Sequence, residues 1–78
     1  MQPKTGRHLN PQKLLLSKWT AVVPRNKEKH FIVTKVIQPE APAARIEFIE
    51  MEAVYSRRSF ICPWRELTDV GQWLQGWH

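Results

Sequence analysis

One cysteine, three glycines and no apolar run longer than about three residues leave this 78-residue chain without most of the features that declare a function. Cys62 has no second cysteine to pair with, so no internal disulfide can form, and a lone thiol fits a reducing compartment. Gly6, Gly71 and Gly76 are too scattered for a glycine-rich phosphate loop. The short apolar runs exclude a transmembrane helix. The start "MQPKTGRHLNPQK" has neither an apolar h-region nor a small-residue cleavage site, so a cytoplasmic protein is expected. Metal-binding residues are few: His8, His30, His78 and Cys62 occur singly, with no CxxC or HxxxH spacing. In "EFIEMEAVY" an extended chain puts Glu47 on one face and Glu50 and Glu52 on the other, which suits a solvated strand better than a paired-carboxylate site. Neither an enzyme nor a cofactor is indicated.

What the chain does have is tryptophan and positive charge. Three of its four tryptophans, Trp64, Trp73 and Trp77, fall within "PWRELTDVGQWLQGWH". A domain this small buries only about 60% of its unfolded surface. Each buried tryptophan removes roughly 150–250 Å² from water, worth at most about 4–6 kcal/mol. Two or three can decide whether the chain folds. The net charge of +5 is unevenly spread: residues 1–35 carry eight Lys/Arg against the single acid Glu28, a local charge of +7, whereas residues 36–78 carry four against six acids, −2. Such a basic half attracts polyanions or an acidic protein, or serves solubility.

Residues 1–9 read as a flexible basic tail, and 10–78 as a single compact domain. Asn10 and Pro11 are a helix-start signal for a turn or two. "KWTAVV" favours a strand that Pro24 ends, and "PRNKEK" is a charged loop. "HFIVTKVIQ" is the clearest strand, and "PEAPAA" is a loop because of its prolines. "RIEFIEMEAVY" reads as a strand whose parity switches at Phe48–Ile49, predicting a β-bulge there. "SRR" would turn it back into "SFICPW", with Cys62 as a small buried hydrophobe. Asp69 as N-cap, Gln72 three residues on, Gly76 at C′ and the stripe Val70, Trp73, Leu74, Trp77 predict a short C-terminal helix. The expected fold class is therefore α+β: a small antiparallel sheet of three to four strands closed by that helix, with an SH3-like barrel as the variant.

Cations interleave with aromatics at Lys18-Trp19, at Lys29-His30-Phe31, in the stretch from Tyr55 to Phe60 around Arg57 and Arg58, and at Trp64-Arg65. Single-strand nucleic-acid binders use that combination, with cations along the phosphates and rings stacked on bases. The fragments "SKWTAVVP", "EKHFIVTKV", "MEAVYSRRSF" and "WREL" followed by "W" and "GW" resemble a family of small bacterial tryptophan-rich proteins of unknown function. That resemblance implies signature positions at Lys18, Trp19, Thr20, His30, Phe31, Arg57, Trp64, Leu67, Trp73 and Trp77, but no activity, cofactor or ligand. Core use suits Phe31, Leu67, Trp73 and Trp77. The expected binding residues are Lys18, Lys29, His30, Arg57 and Arg58, with Trp19 as the stacking ring. The expected function is a non-enzymatic small basic module contacting RNA or single-stranded nucleic acid. The alternative is an adaptor docking on an acidic protein through an edge strand or the Trp-bearing helix.

Overall fold

The computed structural model describes residues 7–78, which form one five-stranded antiparallel sheet with almost no helix. The strands are β1 (Lys18–Arg25), β2 (Glu28–Ile37), β3 (Phe48–Ala53), β4 (Ser59–Pro63) and β5 (Trp73–Gln75), in the spatial order β4-β3-β2-β1-β5. The sheet is open, with β4 and β5 at opposite edges. Two 3-10 turns, Pro11–Lys13 and Trp64–Thr68, flank it.

Local chemistry accounts for most boundaries. The Asn10 side chain accepts a hydrogen bond from the Gln12 amide at 3.0 Å, and Pro11 follows, so the start signal produces one 3-10 turn. β1 does not end at Pro24. It runs to Arg25, and Arg25 pairs with Glu28 across Asn26 and Lys27 at φ 55° and 63°, the two positive φ angles of a type I′ hairpin turn. Pro24 is tolerated because the ladder is irregular between Thr20 and Arg25. The expected β3–β4 hairpin is present, joined by residues 54–58, with Met51 opposite Phe60 and Ile49 opposite Cys62.

The bulge lies elsewhere than expected. β3 is regular from Phe48 to Ala53, and the extra residue sits in β2, where Val33 pairs with Met51 but Lys35 with Glu50. Thr34 is that extra residue, and it returns Val36 to the face that Phe31 and Val33 occupy. Apolar residues of both parities in β2 thus serve one core. Ile46 is buried from the loop before β3, which is why it falls out of phase with Ile49.

No C-terminal helix forms. The Asp69 carboxylate accepts from the Gly71 amide at 2.8 Å, closing a tight turn, and β5 then pairs with β1 through Ala21–Trp73, Thr20–Leu74 and Trp19–Gln75. The same aspartate cue serves a helix cap or an Asx turn. Gly71 weakens a helix, and the free backbone edge of β1 offers a ladder in its place. The fold is therefore a sheet, not an α+β layer closed by a helix.

One face of the sheet carries the core. Trp19, Val33, Ile49, Met51 and Leu67 are fully buried, with Phe31, Ala53, Cys62, Leu14 and Trp73 around them. Trp73 meets Phe31 edge-to-face at 5.0 Å between ring centroids. Of the expected tail, residues 1–6 lie outside the described residues. Arg7 is docked: its amide donates to Thr68 O at 3.1 Å, and its guanidinium to Leu67 O and Trp73 O. Leu9 packs against the core.

Replacing Trp19 with alanine is expected to cost about 3–5 kcal/mol, out of a total of about 4–12 kcal/mol for a domain of this length. A thermal melt followed by circular dichroism should show a midpoint lowered by about 12–40 °C. Cys62, whose thiol burial and the nearby Glu66 charge push up to about 11, should react with a disulfide reagent only after unfolding.

Candidate nucleic-acid interface

A strand alternates, so burying Trp19 on the core face sends Lys18 and Thr20 to the opposite one. Lys18 pairs with Ile32, which pairs with Glu52, and Thr20 pairs with His30, so all five share that outer face. Thr20 is nevertheless buried, because the end of the chain crosses over it. Its hydroxyl donates to Gly76 O at 2.7 Å and accepts from the His78 amide at 2.9 Å. Gly76, at φ +86°, makes the turn that a side chain would resist. Trp77 is thereby laid on the outer face.

The Trp77 ring is held in one orientation. Its indole N–H donates to Phe31 O at 2.9 Å, the Lys18 ammonium stands 4.8 Å from the ring centroid, and the His30 ring lies 5.8 Å away, tilted by 34°. The His30 Nε2 is 2.9 Å from His78 O. The ring still leaves 43% of its residue surface in solvent. Beyond His30, Lys27, Lys29, Val54 and Tyr55 line a shallow depression of about 280 Å³. Tyr55 is 68% exposed. Arg57, at φ 63° in the β3–β4 loop, is exposed and stands 3.7 Å from Glu52, an ion pair worth little in solvent.

The structure sorts the six expected binding residues. It brings Lys18, Lys29 and His30 to one surface and leaves Arg57 exposed beside it. Trp19 is not a stacking ring. It has no exposed surface, its indole N–H donates to Ser17 Oγ at 2.8 Å, and Arg7 covers it at 5.3 Å. Arg58 is not a free cation either. Its Nη2 and Nε donate to the Glu28 carboxylate at 2.7 and 3.0 Å, and the Ser56 hydroxyl donates to the same carboxylate. Trp77, Tyr55 and Lys27 are the further exposed side chains on that surface. Helical spacing puts Trp77 on one stripe with Trp73, and only the Gly76 turn ahead of it hints that the two rings part.

Two further grooves flank the sheet. One of about 540 Å³ is walled by Phe31, Phe60 and Trp73, and the Glu28–Arg58 pair neutralises much of its charge internally. The other, of about 430 Å³, has Trp64 in its wall. No group of three or more His, Cys, Asp or Glu gathers as for a metal among the described residues, and no helix there is long and apolar enough to cross a membrane.

A family model described as tryptophan-rich protein (DUF2389) matches residues 17–78, and the chain belongs to that family, whose function is unknown. No curated protein and no solved structure matches it. Among the signature positions, Trp19, Phe31, Leu67 and Trp73 build the core, whereas Lys18, His30, Arg57 and Trp77 face outward.

The Arg58 hydrogen bonds, the Ser56 hydroxyl and the Arg58 charge lower the Glu28 carboxyl from about 4.5 to about 2. The depressed value means that this stabilisation is complete above about pH 4.5 and disappears as the pH falls through about 2. Urea midpoints between pH 6 and pH 2 should fall for the native chain. They should fall less over that window for Glu28→Gln, whose amide does not titrate.

Proposed function

We propose that this chain is a non-enzymatic basic module that binds single-stranded nucleic acid, RNA included, on the outer face of its sheet. The observation that carries the proposal is Trp77. It is an exposed ring fixed by a hydrogen bond to the strand beneath, with Lys18 over it and His30, Lys29, Lys27 and Tyr55 alongside. A base stacks on the ring as the flexible Lys18 side chain swings aside to a neighbouring phosphate. Lys27, Lys29 and Arg57 follow the backbone. An open variant of the SH3-like barrel is the finer reading of the fold, since β5 returns to β1 after a four-strand meander. That fold hosts many functions and does not by itself support this one.

A second reading, an adaptor for an acidic protein, is favoured by the free edge of β4 and the exposed Phe48 and Ile61 on the outer face. Pull-downs with and without nuclease separate the two readings, because partners bridged by nucleic acid vanish on digestion.

Four phosphate contacts, from Lys18, Lys27, Lys29 and Arg57, correspond to a log–log salt slope of about −3 for a single strand. Fluorescence anisotropy with a labelled oligonucleotide should give that slope. Trp77→Ala should weaken binding by about 1–3 kcal/mol, and Arg58→Ala by no more than its effect on stability explains. Absence of binding at low salt would overturn the proposal.

A further inference from the structure

A second tryptophan, Trp64, is half-buried against the edge of the core and keeps part of its ring in solvent. Trp64 opens the second 3-10 turn, and its indole N–H donates to Ile46 O at 2.9 Å, so this ring too is fixed by a backbone carbonyl. The Arg65 guanidinium stands 5.2 Å from its centroid. Arg45, Gln12 and Gln38 line the same groove as Trp64. Three prolines stiffen the surrounding backbone, which lowers the ordering cost of binding. Neither arginine forms an ion pair among the described residues, and the acids of the adjoining loop, Glu40 and Glu47, do not line the groove.

The groove therefore pairs a flat aromatic wall with two unneutralised guanidinium groups and two amides that can both donate and accept. We infer that it is a mononucleotide subsite: the exposed Arg65 side chain swings off the Trp64 ring to the phosphate, which Arg45 also holds, Trp64 stacks the base, and Gln12 and Gln38 meet the base edge. Its volume of about 430 Å³ falls in the lower part of the range for small-ligand sites, room for one nucleotide and not for a run of them. Phosphate alone would use the arginines but not the open part of the Trp64 ring, which packs against the core on its other side. An acidic peptide would not need a flat ring flanked by amides. The inference deepens the nucleic-acid reading and rests on it for the class of ligand.

The test follows the four indole N–H signals and the arginine Nε–H signals of uniformly ¹⁵N-labelled protein. The probes are 5′-mononucleotides, inorganic phosphate, a short oligonucleotide and an acidic peptide. Millimolar mononucleotide should move the Trp64, Arg45 and Arg65 signals along one saturable curve, distinct from that of any Trp77 movement. In the exposed-site double variant Arg45→Ala/Arg65→Ala, that affinity should fall at least tenfold with the rest of the spectrum unchanged. A Trp64 signal that ignores every mononucleotide, or that inorganic phosphate or the peptide alone moves as far, overturns the subsite. The oligonucleotide reports separately on the outer face: movement of Trp77 without Trp64 leaves that interface standing and removes this one. Movement of Trp64 without Trp77 does the reverse.

Discussion

The burial of Trp19 is the constraint on which the rest of the molecule depends. It sits in β1 between two neighbours, opposite Phe31 of β2 and Gln75 of β5. Its indole N–H donates to Ser17 Oγ, and the Ser17 hydroxyl donates to Leu14 O, so one ring also fastens the segment that enters the sheet. Arg7 closes over it from the chain's beginning and ties that strand of backbone to the second 3-10 turn and to β5. With no disulfide available, residue 19 joins β2 and β5 through its backbone and the Arg7 and Ser17 segments through its ring.

The outer face follows from the same choice. Alternation obliges Lys18 and Thr20 to point away from the core once Trp19 points in. Thr20 then has a buried hydroxyl to satisfy, and it does so with Gly76 and His78, which draws Trp77 across the strands. A polar group hidden in the sheet thus decides where the exposed ring lies. Charge is divided in a similar way. Of the many cations in the basic half, Arg7 is consumed by backbone carbonyls, while Arg58, from the other half, is consumed by Glu28. Lys18, Lys27 and Lys29 keep their charge for the surface.

Much of the sheet was legible in the sequence because β-branched and aromatic residues dominate β2 and the β3–β4 hairpin, and "SRR" could only turn. Asn10 and Pro11 were equally readable, since a cap and a proline act through neighbours one or two residues away. The C-terminal stretch was not, because its spacing satisfies two periods at once. Trp73 and Trp77 lie on one stripe of a helix, but a three-residue strand followed by Gly76 separates them, and the deciding factor is the unpaired edge of β1 far off in sequence. The bulge escaped for a related reason: parity in β3 was disturbed by Ile46, buried from a loop, while the true extra residue, Thr34, looked ordinary in β2. Among the expected binding residues, the outward placement of Lys18, Lys29 and His30 was legible, since these polar side chains have no core use. Trp19 and Arg58 could not be told from them, because burial and the Glu28 partner are long-range facts.

The division of the tryptophans is the central claim, and a soluble paramagnetic gadolinium chelate tests it most directly. Relaxation of the four indole ring signals should be strong for Trp77, intermediate for Trp64 and weak for Trp19 and Trp73. Equal protection of Trp73 and Trp77, or strong relaxation of Trp19, would contradict the account.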